Sequence, residues 1–209
     1  MSSVRIRYPA PNLKKEIMPT ITDYYNHRKN TPSDINEHIE TLKNYATECK
    51  HITEMGVRTV VSTWAFLEAN PKKLISIDIN PCPIEEAAKL AGDAGIDFKF
   101  IQASTLEIEI EETDLLFIDT WHVYQQLKQE FKLHCDKARK YIILHDTTTF
   151  GERGESGSEM KINIMTNQME VIPFRGLWPA VEEFLQEHPE WKVKERFTHN
   201  NGLTVLERI

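Results

Sequence analysis

Residues 49–78 constrain the fold of this chain more than any other segment. They comprise, in order, an apolar run over 51–57, a turn with Gly56 and Ser62-Thr63, a helical stretch over 64–69, and a second apolar run over 74–77 that ends in Asp78. This order predicts one β-α-β unit, which is the layout of a nucleotide-binding half-sheet.

The acid at the end of the second strand indicates what such a unit would bind. Asp78 follows Glu54 by 24 positions, and a carboxylate there can accept hydrogen bonds from both hydroxyls of a ribose. The turn has one glycine, Gly56, whereas a pyrophosphate needs close backbone approach over several residues. The pattern therefore favours a nucleoside cofactor without phosphates over a dinucleotide.

The same alternation continues along the chain. Helices are predicted from an N-cap at Ser33, over 84–94 and over 123–137, and strands over 97–102, 114–119 and 141–144. The run 114–119 is apolar between two acids, as expected of a strand buried on both faces. Five alternations of strand and helix predict a parallel sheet that is covered on both faces.

Both ends and one internal segment break this alternation. Residues 1–30 contain Pro9, Pro11 and Pro19 and are predicted to be an irregular N-terminal arm, which leaves 31–209 as the folded domain. Segment 147–172 is long for a connection, and we interpret it as a lid or substrate-binding loop, with a flexible insertion as the alternative. A helix over 179–187 precedes strands over 191–197 and 203–208, whose turn carries the hairpin signal Asn200-Asn201-Gly202.

Charge and cysteine content exclude several classes of protein. The 209 residues carry a formal charge of −7 and show no basic stripe, which argues against a nucleic-acid surface. Cys49, Cys82 and Cys135 are odd in number and lack zinc or disulfide spacing, as is typical of a reducing compartment. No run reaches the ~18–20 apolar residues of a membrane span, and the N-terminus lacks a signal-peptide core. We therefore expect a soluble, cytoplasmic protein.

Five segments in a fixed order resemble those of one enzyme family. They are TEMGVRTVVST, SIDIN, DLLFIDTWHVY, YIILHDT and the C-terminal hairpin. Over about residues 33–209 the chain resembles the class I S-adenosylmethionine-dependent methyltransferases. More narrowly, it resembles the small bacterial and phage branch near macrocin O-methyltransferase and the cephalosporin hydroxylase-like proteins. The resemblance implies an α/β, Rossmann-like three-layer sandwich with a seven-stranded, mostly parallel sheet and a C-terminal antiparallel hairpin.

The resemblance also implies a set of cofactor contacts. These are Glu54 and Gly56 at the methionine end, Ser62 and Thr63 beside them, Asp78 at the ribose, Gln102, Ala103 and Ser104 at the adenine, and Asp119 next to the transferable methyl group. Thr120 and Trp121 depart from the branch, which usually has Gly-Asp there. Trp121 would either line the substrate pocket or pack against a neighbour.

Asp119 and His122 are the candidate catalytic residues. Methyl transfer from a sulfonium is an in-line displacement, so the enzyme mainly aligns the acceptor and the methyl group. A hydroxyl acceptor must also lose its proton. His122 lies just beyond the predicted strand end, and the ordinary histidine pKa near ~6.5 suits a general base. The alternative is a histidine that caps backbone groups at the start of a helix.

Asp119 and Asp146 form a candidate metal site. They end two strands that we expect to be neighbours, so their carboxylates would converge on one hard cation such as Mg²⁺. Related metal-dependent methyltransferases carry a further Asn or acid beside the second position, where this chain has Thr147. The alternative is two acids that only cap strand ends. His145 is interpreted as a strand-end residue rather than a ligand.

Two classes of function are consistent with these residues. The first is an S-adenosylmethionine-dependent O-methyltransferase that acts on a small polar acceptor such as a sugar or a sugar-bearing metabolite. The second is a non-catalytic or repurposed nucleoside-binding domain of the same fold, which the glycine-poor turn favours. As a further hypothesis, exchange of the N-terminal arm between copies would produce a homo-oligomer.

Overall fold

A seven-stranded sheet forms the centre of the molecule. The computed structural model describes residues 18–163, 165 and 168–209. The strands of this sheet are β1 (His51–Met55), β2 (Lys73–Asp78), β3 (Asp97–Gln102), β4 (Thr113–Ile118), β5 (Ala138–His145), β8 (Trp191–Phe197) and β9 (Leu203–Arg208). Their order is β3-β2-β1-β4-β5-β9-β8, with the first five parallel and the last two antiparallel. The predicted fold class is confirmed.

Helices cover both faces of the sheet. They are α1 (Ile21–Asn30), α2 (Ile39–Thr47), α3 (Val61–Glu68), α4 (Glu85–Asp93), α5 (Tyr124–His134) and α6 (Trp178–Glu187). Helices α1 to α4 share one apolar core with Leu115 and Phe117 of β4, and α5 and α6 share the other with Leu116 and Ile118. Because successive side chains of a strand point to opposite faces, the apolar run of β4 supplies both cores. None of the described helices is both long and apolar enough to cross a membrane.

The strand order creates a crevice between β1 and β4. From β1 the chain proceeds toward one edge through β2 and β3, and then returns to β4 on the other side of β1. Crevices of this kind, at the carboxyl ends of parallel strands, are where open α/β sheets bind ligands. Gly56 lies at its base with φ +87°, and a Cβ there would be 1.9 Å from the Asp119 carbonyl oxygen. Glycine is required here because the backbones after β1 and β4 touch.

The predicted irregular arm is wrong for Ile21–Asn30, which is α1. Thr20 and Asp23 form a capping box that starts this helix directly after Pro19, so the proline precedes the helix instead of breaking it. Tyr24 stacks on Trp64 of α3, with ring centroids 4.3 Å apart. Residues 1–17 of the predicted arm lie outside the described part of the chain, so its separation from a domain at 31–209 stays a prediction.

Two further local predictions are corrected. Ser33 is not a helix N-cap, because Ile35 has non-helical backbone angles and α2 begins only at Ile39, after a 3₁₀ turn at Asn36–His38. Segment 147–172 is not a loop. Most of it belongs to an antiparallel pair, β6 (Arg153–Asn163) and β7 (Gln168–Arg175), which forms a separate two-stranded sheet. Ladder hydrogen bonds thus satisfy backbone groups that a long loop would leave to water.

Candidate functional site

A cavity of about 500 Å³ opens at the carboxyl ends of β1, β2, β4 and β5, within the size range of small-molecule sites. The predicted site residues that line it are Gly56, Ser62, Asp78, Ser104, Asp119, His122 and Asp146. The structure places Glu54, Thr63, Gln102 and Ala103 outside this lining. Gln102 instead turns back, and its Nε2 donates to the Ile79 carbonyl (3.3 Å). The cavity therefore assembles most of the predicted residues at one place.

Glu54 lies behind the cavity wall. It is completely buried and accepts hydrogen bonds from Ser62 (2.6 Å), Thr63 (2.9 Å) and Ser76 (2.5 Å). Burial raises its pKa to about 7, although the hydroxyls of Ser62, Ser76 and Thr63 act in the opposite direction. This arrangement supports an indirect role for Glu54, which holds Ser62 and the start of α3 in place, rather than contact with a methionine group.

We expect Glu54 to make stability fall as the pH rises from about 4.5 to about 7. In this window the carboxyl ionises in the unfolded chain but stays protonated in the folded one, so the folded state binds more protons. The loss builds up across the window to about 3 kcal/mol, is absent below it and stays constant above it. Urea unfolding of wild type and Glu54→Gln across this range measures it. The exposed Glu85→Gln is the control, and parallel pH curves for wild type and Glu54→Gln would contradict the assignment.

Asp78 holds the turn after β1. Its Oδ2 accepts the N–H groups of Val57 (2.9 Å) and Arg58 (3.0 Å), and its Oδ1 accepts that of Asn80 (2.8 Å). Burial alone would raise the pKa of this carboxyl, but the bonds from Arg58, Asn80 and Val57 lower it below its usual value. A carboxylate has about four acceptor positions, so the three N–H groups leave one further position, which the weakly donating Cys82 thiol also approaches. One remaining position can accept a hydrogen bond from one ribose hydroxyl, whereas the sequence analysis expected Asp78 to accept from both.

The turn reaches its conformation without further glycines. Arg58 and Val60 have φ of 45° and 62°, in the left-handed region that glycine adopts without strain. Such a conformation costs about 1–3 kcal/mol at a non-glycine residue. The three hydrogen bonds to Asp78 and the start of α3 at Val61 hold the strained turn in place. The glycine-poor sequence thus still forms a turn that opens onto the cavity.

Four charged side chains meet at the ends of β4 and β5. His122 Nε2 lies 3.1 Å from Asp119 Oδ1 and 2.9 Å from Asp146 Oδ2. His145 Nδ1 lies 3.3 Å from Asp119 Oδ1 and 3.5 Å from Asp146 Oδ2. Burial by itself would lower the pKa of both histidines and raise that of both acids, but the ion pairs outweigh it. The pKa values of His122 and His145 are raised and those of the acids lowered, which favours a fully charged cluster.

The cluster has the composition of a cation site. Asp119, His145 and Asp146 each offer one ligand atom, and these atoms lie within 4.8 Å of one another. Asp146 Oδ1 is also buried without a hydrogen-bond partner among the described residues, and Asp146 has a strained φ of 59°. Carboxylate oxygens are the ligands that Mg²⁺ prefers. The two carboxylates therefore fit a divalent cation, and His145 would be a third donor after the loss of its proton, which a bound cation would favour.

The β6–β7 pair contributes to the same site. Glu155 of β6 donates its N–H to the His122 carbonyl (3.0 Å), and its Oε2 lies 3.0 Å from His122 Nδ1. Phe150 stacks on the His122 ring at 5.0 Å. Trp121 both lines the cavity and packs edge-on against Phe174 of β7. Lining a pocket and packing against a neighbour, which the sequence analysis gave as alternatives, therefore both apply to Trp121. His122 is thus held from both sides.

Comparison with solved structures identifies the fold. An O-methyltransferase from Bacillus cereus in complex with S-adenosylhomocysteine matches with a TM-score of 0.57 and 13% identity, over 95% of this chain and 94% of that one. A methyltransferase from Podospora anserina with bound S-adenosylhomocysteine matches with a TM-score of 0.54 and 14% identity, over 98% and 100%. The 1,6-didemethyltoxoflavin-N1-methyltransferase from Burkholderia thailandensis matches with a TM-score of 0.56 and 11% identity, over 90% and 84%.

The chain shares the fold of these three methyltransferases. At these identities the likeness shows the fold alone. No protein-family model and no curated protein matches the sequence. The narrower resemblance to the branch near macrocin O-methyltransferase stays a prediction.

Within this methyltransferase fold, sequence reasoning missed Glu130 of α5. It is completely buried and accepts hydrogen bonds from Thr105 (2.6 Å), Thr120 (2.9 Å) and Gln126 (2.9 Å), three residues that line the cavity. Burial raises the pKa of this carboxyl against the effect of those bonds. The available signal was a glutamate beside Leu127 and Phe131 on the apolar face of a helix, where an unpaired charge would be costly.

Proposed function

We propose that this protein transfers a methyl group from S-adenosylmethionine to a hydroxyl of a small polar acceptor, such as a sugar or a sugar-bearing metabolite. One observation supports the proposal above all others. Asp78, at the end of β2, and the charged cluster of Asp119, His122 and Asp146 line the same cavity at the crevice between β1 and β4. A nucleoside at Asp78 would extend toward that cluster. The relatives of the same fold named above are methyltransferases in whose structures S-adenosylhomocysteine is bound.

The proposed cofactor would extend along the cavity from the end of β2 to the ends of β4 and β5. Asp78 would accept a ribose hydroxyl, and Ser104 with Thr105 would lie beside the adenine. The methionine end would lie over Gly56 and next to Ser62 at the start of α3, where the helix dipole favours a carboxylate. In this orientation the methyl group would face Asp119.

Apart from aligning the acceptor with the methyl group, the protein needs few groups for the transfer. A bond forms between the acceptor oxygen and the methyl carbon, the sulfur–carbon bond breaks, and S-adenosylhomocysteine leaves. The acceptor proton is assigned to His122 Nε2, which must first release its own proton to solvent and its contacts with Asp119 and Asp146. Asp119 would orient the acceptor and the imidazole beside the methyl group.

Asp119, His145 and Asp146 would hold Mg²⁺ if the enzyme uses a metal. When bound, the ion would lower the pKa of a coordinated hydroxyl. The protein's own part is to keep the two carboxylates ionised, which the lowered pKa values of Asp119 and Asp146 support.

The test has two stages. Calorimetry should detect binding of S-adenosylmethionine and S-adenosylhomocysteine, and labelled cofactor should then pass its methyl group to a component of a pool of sugars and nucleotide sugars. Parallel assays with excess EDTA and with added Mg²⁺ measure the metal dependence. Absence of binding would exclude a methyltransferase.

The alternative is a non-catalytic or repurposed nucleoside-binding domain. One observation favours it: both nitrogens of His122 contact carboxylates, and the raised pKa of His122 keeps it protonated, whereas a general base must be neutral. Tight cofactor binding with no labelled product from any acceptor would support this alternative. Homo-oligomer formation through exchange of the N-terminal arm, residues 1–30, also stays a prediction.

A further inference from the structure

The rim of the cavity carries one prominent ion pair. The Arg58 guanidinium bonds the Asp34 carboxylate, and both residues line the cavity. Among the described residues of the lining, Arg58 is the only arginine or lysine, whereas Asp34, Asp78, Asp119, Asp146 and Glu155 are acidic. An anionic ligand group that enters this cavity therefore has one strong cationic partner outside the histidine cluster.

The backbone on both sides of this pair is anchored. The Arg58 N–H donates to Asp78 Oδ2 (3.0 Å), so the guanidinium extends from the same turn that holds the proposed ribose acid. Asp34 lies in the segment between α1 and α2. That segment is tied to the β8–β9 turn, because Asn200 Nδ2 donates to the Ser33 carbonyl (2.9 Å) and the Glu37 N–H donates to Asn200 Oδ1 (3.0 Å).

The pair lies at the end of the cavity where the amino-acid part of the cofactor would be. Arg58 interacts electrostatically with Asp119 and Asp146, which end β4 and β5, whereas Ser104 and Thr105 at the adenine side follow β3. Asp34 is adjacent to Ile35, which also lines the cavity. A ligand with its ribose at Asp78 and its adenine near Ser104 would place its other end between Arg58 and Asp119.

We propose that Arg58 and Asp34 together recognise the zwitterionic amino-acid end of S-adenosylmethionine. The guanidinium would donate to the α-carboxylate, and the Asp34 carboxylate would accept from the α-ammonium. This inference rests on the proposed function. Without Arg58, the α-carboxylate would enter an acidic cavity and meet like charges. Arg58 is exposed and Asp34 is partly buried, with 69% and 32% of the two side chains accessible. The ion pair is therefore screened by solvent on the Arg58 side, and its opening costs little when the ligand takes over both partners.

Binding of matched ligands tests the proposal. S-adenosylhomocysteine carries both charges, its decarboxylated form carries the ammonium alone, and methylthioadenosine carries neither. Arg58→Met should weaken S-adenosylhomocysteine binding about 10- to 30-fold and leave the other two ligands within about twofold. Asp34→Asn should weaken both ammonium-bearing ligands and leave methylthioadenosine unchanged. Glu40→Gln, which removes the Lys29–Glu40 pair outside the cavity lining, is the control and should change none of the three.

The affinities of the three ligands distinguish failure of this inference from failure of the proposed function. If Arg58→Met weakens methylthioadenosine as much as S-adenosylhomocysteine, Arg58 acts only through the shape of the turn, and the proposal is wrong. Unchanged affinity for all ligands in both variants also overturns it, while leaving the methyltransferase proposal intact. If wild type binds none of the three adenosine ligands, the proposed function itself fails and this inference fails with it. Thermal unfolding of each variant shows whether the fold is kept.

Discussion

Asp78→Ala is expected to abolish tight binding of S-adenosylmethionine. The substitution removes the acceptor for a ribose hydroxyl and also the bonds from the N–H groups of Val57, Arg58 and Asn80. Loss of one charge-assisted hydrogen bond corresponds to about 10- to 100-fold in affinity, and release of the strained turn adds to it. Calorimetry with S-adenosylhomocysteine measures the effect.

Two comparisons make this result specific. Asp78→Asn keeps one oxygen for the backbone N–H groups and should retain part of the affinity. Asp93→Ala removes an exposed acid of α4 that does not line the cavity and should bind as wild type does. If Asp78→Ala binds the cofactor as tightly as wild type, the nucleoside lies elsewhere, and the methyl-transfer proposal fails.

His122→Asn is expected to reduce kcat about 10²- to 10⁴-fold, the range for loss of a general acid–base group. The affinity for S-adenosylhomocysteine should stay within about threefold, because His122 contacts Asp119, Asp146 and Glu155 rather than the proposed ribose site. Single-turnover assays with labelled cofactor and the acceptor found in the pool screen measure the chemical step.

The control for His122 is His199→Asn. His199 is half exposed and faces Glu37, and it does not line the cavity, so its loss should leave kcat unchanged. An unchanged kcat in His122→Asn would show that the proton leaves by another route, and would remove His122 from the catalytic residues. A variant that also loses cofactor affinity would indicate collapse of the charged cluster instead.

These predictions depend on two buried carboxyls that touch no proposed substrate. Glu54 holds Ser62 and Thr63 behind the cavity, and Glu130 holds Thr105 and Thr120 on the opposite side of the sheet. Both accept hydrogen bonds from neutral groups, which are hydroxyls at Glu54 and hydroxyls with the Gln126 amide at Glu130. A buried acid with only neutral partners keeps a raised pKa, which favours the uncharged form of both carboxyls.

Local patterns in the sequence were sufficient for most of the sheet. Strand β3 and both strands of the C-terminal hairpin have the predicted bounds, and β1, β2, β4 and β5 differ at their ends. The spacing of apolar residues indicates whether an element is buried on one face or on both. The alternation of strands and helices along the chain then predicts a parallel sheet with helices on each side. The β6–β7 pair was not predicted, because the segment begins with a glycine- and glutamate-rich stretch that is typical of a loop. The alternation of apolar residues, which indicates strands, comes only later, at Met160, Ile162, Met169 and Val171.

The sequence by itself thus determined the fold class and the acids at the strand ends, because both follow from local periodicity, whereas the strand order and the crevice came from the structure. Only the tertiary structure decided which side chains meet. Ser76 reaches Glu54 from 22 positions away, Asp34 reaches Arg58 from 24, and Glu155 reaches His122 from 33. Such contacts depend on how separate elements pack, and no local pattern encodes them. For this reason the family resemblance implied a cofactor contact for Glu54, whereas Glu54 lies behind the cavity wall in the structure.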